Sequence, residues 1–414
     1  MAKTYLIHGS KELSGEVIIS GSKNCALALI AGALLTNEEM IIENVPNIKD
    51  IDIFIEILSY LNVKIDFKNN ILKINASTIE NKSLCIENVK KFRASYYLIG
   101  SLINRFKKLE ISKAGGCNFV KRPINYHLDL LKNFGVDYFE KEENYYFNYH
   151  ENDIEEYTLL YPSFGTTING ILFAVSSNKN IVLKNICLEV EILHFINMIK
   201  EMGGKLTLVD NNLYIEKSVL HGIKYKNIPD RIETGTFLLM GPTICSYLKI
   251  KNINPLHNRD LLDLFSLLDI DYILGEDYVI LKKTKINKSC LIETGNKISS
   301  DLQPLLTVFC LAIPRISVIK EKVYASRFTH IEPLKKMGGA IYESNQNILI
   351  NGIMTLQGQE LYATDLRMAA SMVFACLLAE GKSIIHNMDY IDRGYENFLD
   401  KLNALGANIK AYEE

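Results

Sequence analysis

The hydrophobic positions of this chain follow a pattern that recurs about every 69 residues. Each copy begins with a stretch that is apolar on all sides, such as residues 26–35 or 369–379. A short β-branched strand follows, such as residues 40–43 or 383–386, and then an amphipathic stretch such as 397–405, where leucines recur at helical spacing. We therefore predict an apolar helix, a strand, an amphipathic helix and a closing strand in each copy.

A small or turn-forming residue separates the amphipathic helix from its closing strand. These residues are 66 to 73 positions apart and are Asn62, Gly135, Gly203, Asp269, Gly338 and Gly406. Many helices end at a residue in the left-handed region, which Gly and Asn adopt most easily. Six copies account for the whole chain, and they most simply form two domains of three. A solenoid of six stacked units is the alternative.

A helix that is apolar all round must be buried on every side. The predicted fold class is therefore α/β, with the apolar helices inside and the sheets and amphipathic helices covering them. The segment 227–230 lies between the third and fourth copies, where we expect the chain to cross between domains. One expected domain spans 21–229 and contains the Cys117 loop, and the other combines 1–20 with 230–414.

Composition and charge narrow the range of functions. Of the 414 residues, 48% are hydrophobic and 23% are charged, which is typical of a globular protein. The net charge is −2 without a block of like charge, so neither nucleic acid nor a membrane surface is an expected partner. The first residues do not resemble a signal peptide, and the eight cysteines include no C-x-x-C pair. We expect a cytoplasmic protein without disulfides or zinc.

Charged and polar residues cluster at two equivalent points of the copies. The starts of the apolar helices carry Lys23 and Asn24, Arg93, Ser163 with Phe164 and Gly165, Asp301, and Arg367. Capping explains the Ser and Asp residues, but cations are disfavoured at the positive end of a helix, so a bound anion is expected there. The starts of the amphipathic helices carry Asp50, Arg122, Glu189, Glu191, Arg259, Arg327 and Arg393. If the domains face each other, these helix ends would line a cleft suited to phosphorylated substrates.

The segment 114–123, Ala-Gly-Gly-Cys-Asn-Phe-Val-Lys-Arg-Pro, is a longer loop than the other strand-to-helix connections. Its two glycines would let it move as a lid. Lys121 and Arg122 would favour the reactive thiolate form of Cys117. An incidental cysteine on a loop is the alternative interpretation.

The chain resembles the UDP-N-acetylglucosamine 1-carboxyvinyltransferases, which belong with the enolpyruvyl transferases. Five stretches between about residues 9 and 411 carry the resemblance: Gly-Ser-Lys-Asn (21–24), Gly-Gly-Cys to Arg-Pro (115–123), Asp-Arg-Ile-Glu-Thr-Gly-Thr (230–236), Ala-Thr-Asp-Leu-Arg (363–367) and Tyr-Ile-Asp-Arg-Gly-Tyr-Glu (390–396). The resemblance implies an inside-out α/β barrel of two domains with three repeats each. It also implies transfer of the enolpyruvyl group of phosphoenolpyruvate to the 3-hydroxyl of UDP-N-acetylglucosamine, with release of phosphate, as the first committed step of peptidoglycan synthesis. These two small molecules are the implied partners, and no metal, organic cofactor or obligate protein partner is implied.

The resemblance further implies roles for individual residues. Cys117 matches the acid that protonates phosphoenolpyruvate, Asp301 matches the base facing the sugar hydroxyl, and Lys23 and Arg393 complete the implied catalytic set. The implied phosphoenolpyruvate contacts are Lys23, Asn24, Arg122, Arg367 and Arg393. The implied UDP-N-acetylglucosamine contacts are Arg93, Arg122, Pro123, Ile124, Asn125, Tyr126, Ser163, Phe164, Gly165, Asp301 and Val323.

A few positions depart from the family pattern. Asn118, Phe119 and Val120 replace the usual Ala-Ile-Gly after the cysteine, which predicts a less mobile lid. Asn125 stands where the family has an aspartate against the uracil ring, which predicts weaker nucleotide binding. No residue assigned to the chemistry is lost. Two alternatives remain, a transferase with a shikimate-3-phosphate acceptor, whose family lacks the cysteine loop, and an inactive paralogue that binds UDP-sugars.

Overall fold

A computed structural model describes residues 3–9, 12–115, 124–295, 297–324, 327–352 and 355–413. Within these residues the chain divides into two compact units. The split unit combines the described parts of 3–20 and 229–413, and the central unit combines 21–115 and 124–228. None of the helices in the described ranges is long and apolar enough to cross a membrane.

Two kinds of α-helix alternate along most of the described chain. The α-helices are α1 (Lys23–Ala33), α2 (Lys49–Tyr60), α3 (Glu87–Lys91), α4 (Tyr97–Phe106), α5 (Asn125–Asn133), α6 (Phe164–Ser176), α7 (Val190–Glu201), α8 (Arg231–Ile244), α9 (Arg259–Leu267), α10 (Gln303–Leu311), α11 (Ile331–Lys336), α12 (Leu366–Leu378) and α13 (Phe398–Ala404). Short 3₁₀-helices span Arg93–Tyr96, Pro255–Asn258, Ser300–Leu302 and Met388–Arg393. Helices α1, α4, α6, α8, α10 and α12 are the predominantly buried, apolar kind.

The predicted helix-ending turns are confirmed. The residue after the C-cap of α2, α5, α7, α9, α11 and α13 has a positive φ in every case, between 55° and 98°. These residues are Asn62, Gly135, Gly203, Asp269, Gly338 and Gly406. A residue in this conformation reverses the chain direction and lets the closing strand start within two or three residues.

The strands of the described residues form six sheets, three in each unit. The strands are β1 (Lys3–His8), β2 (Leu13–Ile18), β3 (Glu39–Glu43), β4 (Lys64–Lys68), β5 (Ile71–Asn75), β6 (Lys108–Ser112), β7 (Val136–Lys141), β8 (Asn144–Tyr149), β9 (Glu156–Thr158), β10 (Ile181–Lys184), β11 (Lys205–Val209), β12 (Asn212–Glu216), β13 (Lys224–Lys226), β14 (Cys245–Lys251), β15 (Tyr272–Leu274), β16 (Tyr278–Leu281), β17 (Leu291–Thr294), β18 (Ile316–Glu321), β19 (Ala340–Ser344), β20 (Asn347–Asn351), β21 (Glu360–Tyr362), β22 (Lys382–His386) and β23 (Asn408–Glu413). The sheet orders are β13-β3-β5-β4, β6-β8-β7 and β11-β12-β10-β9 in the central unit, and β21-β22-β1-β23, β15-β16-β14-β2 and β17-β18-β20-β19 in the split unit.

Each four-stranded sheet has one parallel pair at one edge and two antiparallel pairs beside it. The described strands therefore form separate sheets and do not close into a barrel, which corrects that part of the expectation. The α/β class holds, because helices and strands alternate and pack against each other in both units.

Each unit has its own hydrophobic core built on three apolar helices. Helices α1, α4 and α6 contact one another in the central unit, and α8, α10 and α12 do so in the split unit. A glycine allows close approach of two of them, because a Cβ on Gly100 of α4 would lie 2.6 Å from the carbonyl oxygen of Asn169 in α6.

Two apolar helices begin three residues earlier than hydrophobicity predicts, because polar side chains cap them. Ser22 Oγ accepts a hydrogen bond from the backbone N–H of Cys25 at the start of α1. Asp365 accepts from the backbone N–H groups of Arg367 and Met368 at the start of α12. These caps place Lys23 and Arg367 in the first turns of their helices.

Candidate active site

Two buried arginines hold the carboxylate of Asp301 in the split unit. Arg367 donates to its Oδ2 from Nη2 at 2.8 Å and from Nε at 3.2 Å, and Arg327 Nη2 lies 2.8 Å from its Oδ1. The arginine side chains are 7% and 4% exposed, whereas that of Asp301 is 26% exposed. Both guanidinium groups stabilise the charged carboxylate. The carboxylate of Asp301 is therefore partly accessible to a substrate.

Local structure fixes both partners of the Asp301–Arg367 pair. Asp301 lies in the 3₁₀-helix Ser300–Leu302, directly before α10, and Arg367 is the second residue of α12. Burial alone would lower the pKa of Arg367, but Asp301, together with Tyr395 and Asp230, outweighs this effect and raises that pKa above its usual value. Arg367 therefore stays charged in its buried position.

The segment that follows Arg393 contacts the start of α12. Arg393 ends the 3₁₀-helix Met388–Arg393, and a Cβ on the next residue, Gly394, would lie 2.3 Å from Cδ2 of Leu366. The ring of Tyr395 lies 5.6 Å from the Arg367 guanidinium. The structure thus brings the chain beside Arg393 to the Asp301–Arg367 pair.

In the central unit, Lys23 is the first residue of α1 and Asn24 is the second. Nζ of Lys23 lies 2.7 Å from Oδ2 of Asp50 in α2, and the two side chains are 13% and 5% exposed. For both Lys23 and Arg367, a carboxylate of the protein supplies the negative charge that the sequence led us to assign to a bound anion. These pairs are buried and so differ from ordinary surface ion pairs.

The predicted nucleotide residues of α5 and α6 lie against each other. Ser163 caps α6 through a hydrogen bond from the backbone N–H of Thr166. A Cβ on Gly165 would lie 3.0 Å from Cε1 of His127 in α5, so the ring packs closely against this glycine. Nδ1 of His127 accepts from the side-chain amide of Asn169 at 2.7 Å. The starts of the two helices are therefore held together by His127.

His127 is neutral at physiological pH. Its burial, followed by the nearby charge of Arg93, lowers its pKa to about 3. The Arg93 guanidinium lies 5.9 Å from the ring of Tyr96, and the Tyr96 and His127 rings are 6.4 Å apart. The structure therefore brings Arg93 close to the residues that join α5 and α6.

Residues 124–126 form the start of α5 and differ in exposure. Ile124 precedes the helix and is buried, whereas Asn125 and Tyr126 in its first turn are exposed. The Tyr126 ring stacks with that of Tyr161 at a centroid distance of 6.2 Å, and 37% and 39% of these residues are exposed. Phe164, the first residue of α6, packs against the core of the central unit. An exposed aromatic pair thus lies next to the predicted nucleotide residues.

Part of the predicted site lies outside the described residues. Cys117, Arg122 and Pro123 belong to this part. The loop is described up to Gly115, whose backbone N–H donates to the carbonyl of Lys90 at 2.6 Å. The preceding N–H, that of Ala114, donates to the hydroxyl of Tyr96 at 2.6 Å.

Comparisons with known proteins identify the family of this chain. A family model described as EPSP synthase (3-phosphoshikimate 1-carboxyvinyltransferase) matches residues 7–402. UDP-N-acetylglucosamine 1-carboxyvinyltransferase 2 of Listeria monocytogenes serotype 4b is 33% identical over 413 residues, which cover 99% of this chain and 98% of that protein. The UDP-N-acetylglucosamine 1-carboxyvinyltransferase of Thermotoga maritima is 33% identical over 420 residues, covering 99% of both chains. The chain belongs to the UDP-N-acetylglucosamine 1-carboxyvinyltransferase family.

Solved structures show the fold of this carboxyvinyltransferase chain. The enolpyruvyl transferase NikO from Streptomyces tendae matches with a TM-score of 0.92 at 21% identity, over 99% of both chains. An EPSP synthase from Acinetobacter baumannii matches with a TM-score of 0.76 at 14% identity, over 100% of both chains. The chain therefore has the enolpyruvyl transferase fold, with mixed helices and strands.

Several charged partners of the predicted residues of this carboxyvinyltransferase were not assigned from the sequence. Asp50 and Arg327 were recognised only as charges near helix starts, although they pair with Lys23 and Asp301. A search for opposite charges at the starts of neighbouring helices in the repeat could have found them. Glu321, which accepts a hydrogen bond from Ser300 next to Asp301, gave no signal because it lies at the end of an ordinary strand.

Proposed function

We propose that this chain transfers the enolpyruvyl group of phosphoenolpyruvate to the 3-hydroxyl of UDP-N-acetylglucosamine and releases phosphate. The reaction would be the first committed step of peptidoglycan synthesis. The observation that carries the proposal is the partly exposed Asp301 carboxylate, fixed between Arg327 and Arg367, in a chain of this family. Such a carboxylate can accept a proton while neighbouring cations hold an anionic substrate.

The proposed chemistry is an addition followed by an elimination. Asp301 takes the proton of the sugar hydroxyl as its oxygen adds to carbon 2 of phosphoenolpyruvate, and Cys117 protonates carbon 3. Loss of a proton from carbon 3 and of phosphate from carbon 2 then restores the double bond. Lys23, Asn24, Arg122, Arg367 and Arg393 are the proposed contacts of the phosphate and carboxylate groups, whose negative charge they would stabilise.

The proposed nucleotide contacts are at the starts of α5 and α6. Their support is the packing of His127 against Gly165 and the nearby charge of Arg93. The exposed N–H groups at a helix start and a guanidinium both suit a diphosphate. The remaining proposed contacts are Arg122, Pro123, Ile124, Asn125, Tyr126, Ser163, Phe164, Asp301 and Val323.

We also propose the finer architecture that the sequence predicts. Residues 21–229 would form one domain, and 1–20 with 230–414 the other, each with three repeats around apolar helices. Six helix-ending residues with positive φ and three mutually contacting apolar helices in each unit support this arrangement. The cytoplasm is the proposed location, since both proposed substrates are made there.

Phosphate release from phosphoenolpyruvate tests the proposal. We expect release with UDP-N-acetylglucosamine and none with shikimate 3-phosphate. Cys117→Ala is expected to abolish it and Asp301→Asn to slow it by about 10² to 10⁴, the usual contribution of a general acid or base. Cys85→Ala is the matched control, because Cys85 is a partly exposed cysteine that lies outside the site.

Two results would point elsewhere. Release only with shikimate 3-phosphate would establish the alternative acceptor. Binding of UDP-N-acetylglucosamine by calorimetry without phosphate release would identify an inactive paralogue that binds UDP-sugars.

A further inference from the structure

The side chain of Glu321 is a buried carboxylate at the end of β18, with a residue exposure of 0%. Its Oε1 accepts hydrogen bonds from the backbone N–H groups of Val323 and Tyr324, at 2.8 and 3.0 Å. Its Oε2 accepts from the hydroxyls of Thr294 and Ser300, at 2.8 and 2.9 Å. Four donors from three segments therefore converge on one buried anion, which is the arrangement that makes its burial tolerable.

A chain of hydrogen bonds connects Glu321 to Asp301. The Ser300 hydroxyl donates to Glu321 and accepts from Nη1 of Arg327 at 3.3 Å. The same guanidinium reaches Oδ1 of Asp301 through Nη2 at 2.8 Å. Ser300 also directly precedes Asp301 in the 3₁₀-helix. Glu321 therefore fixes Asp301 twice, once through the backbone and once through Arg327.

Glu321 also fixes the segment that carries a proposed substrate contact. Its two backbone hydrogen bonds hold the turn at Val323 and Tyr324, and the Arg327 guanidinium lies 5.6 Å from the ring of Tyr324. The turn and the Asp301 pair thus share one buried anchor. A displacement of this anchor would move both, because protein interiors transmit small shifts through close packing.

We infer that Glu321 is a positioning residue that sets the place of Asp301 and of the Val323 turn in the active site. This role rests on the proposed function, in which Asp301 is the base. Glu321 itself does not reach the substrate in this role, and it acts through Ser300 and Arg327. A base displaced by about 1 Å can lose on the order of 10² in rate.

A role in folding alone would explain why Glu321 is buried. It would not explain why one of its hydrogen bonds leads to Asp301. Two hydroxyls bind the same oxygen, and they differ in what they connect. Ser300 leads to Arg327 and Asp301, whereas Thr294 lies at the end of β17, where its hydroxyl oxygen is 3.3 Å from the carbonyl oxygen of Lys320. Removing each hydroxyl in turn therefore distinguishes two roles of Glu321. In one role it positions Asp301, and in the other it only has its own buried charge stabilised by hydrogen bonds.

The test compares Ser300→Ala with Thr294→Val. Each variant removes one hydroxyl from Oε2 and leaves three of its four donors, whereas Glu321→Ala would leave all four donors without their acceptor and could prevent folding. We expect Ser300→Ala to lower kcat about tenfold with the KM for phosphoenolpyruvate unchanged. We expect Thr294→Val to keep kcat within about twofold of wild type. Its melting temperature is expected to shift about as much as that of Ser300→Ala.

Crystal structures of both variants supply a measurement that does not need turnover. We expect the separation of Arg327 and Asp301 to increase in Ser300→Ala and to stay near 2.8 Å in Thr294→Val. An unchanged pair in Ser300→Ala, or equal losses of kcat in both variants, would overturn the inference. If wild type releases no phosphate, the proposed function fails, and the two crystal structures still decide whether Ser300 and Glu321 position Asp301.

Discussion

Replacing Lys401 with methionine is expected to destabilise the split unit, because the buried carboxylate of Glu233 loses its positively charged partner. Lys401 Nζ bonds to Oε1 of Glu233 in α8 and lies 2.7 Å from Oγ of Ser20, and the backbone N–H of Ser20 donates to Oε2 of Glu233 at 2.8 Å. The Glu233 side chain is 3% exposed. Removing one partner of a buried ion pair costs about 3–5 kcal/mol. For a unit of this size, that cost corresponds to a fall in melting temperature of about 10 °C.

The pH dependence identifies the cause. Burial raises the pKa of Glu233 above its usual 4.5, and the charge of Lys401 offsets only part of this effect. Without Lys401 the pKa of Glu233 rises further, so the folded protein binds this proton more tightly than the unfolded chain. The stability loss of Lys401→Met is therefore largest at pH values above the pKa of Glu233 in the folded variant. The loss becomes smaller as the pH falls towards 4.5.

Thermal unfolding followed by circular dichroism at pH 7.5 and pH 5 measures this effect. The difference in melting temperature between Lys401→Met and wild type is expected to be smaller at pH 5. The double variant Lys401→Met/Glu233→Gln is expected to regain much of the loss at pH 7.5, because an amide carries no charge to desolvate. An equal deficit at both pH values, or a double variant no more stable than Lys401→Met, would refute the reasoning.

Three further changes follow from the described contacts. Arg367→Lys loses the two-pronged bond to Asp301 and is expected to lower kcat/KM for phosphate release at least tenfold; an unchanged value would contradict a role for this geometry. Asp50→Asn leaves Lys23 without its buried carboxylate and is expected to lower the free energy of unfolding in urea by about 3 kcal/mol. Gly338→Ala places a side chain at a φ of 98° and is expected to cost about 1 kcal/mol in urea, whereas Gly338→Asn costs less; equal losses would argue against backbone strain.

The repeated elements were predictable because their signals are local. Apolar stretches and single turn-forming residues identify helices and their ends, and each of the six turn residues has the positive φ that was expected. Helix starts were less accurate, since the first turns of α1 and α12 contain the charged residues Lys23 and Arg367, which interrupt the hydrophobic pattern. The caps Ser22 and Asp365 set those boundaries through one and two hydrogen bonds from backbone N–H groups, respectively.

The pairing of charges in the site was not predictable in the same way. Lys23 bonds to a carboxylate in another helix, and Asp301 bonds to Arg367 from a helix 66 positions later. Such partners depend on how helices pack against each other, and local periodicity carries no information about that packing. The resemblance to a family supplied the proposed roles of these residues, but it did not supply the contacts that hold them.

The order of strands in the split unit has a consequence for synthesis on the ribosome. Strand β1 pairs on its two sides with β22 and β23, so His8 opposes Lys382 and Asn408. At usual elongation rates, roughly 20–80 s separate the synthesis of β1 from that of its last partner. The central unit can fold completely in that interval, while β1 remains an unpaired strand exposed to other chains. A chaperone that holds the first 20 residues would therefore protect the nascent chain during the period when aggregation is most favoured.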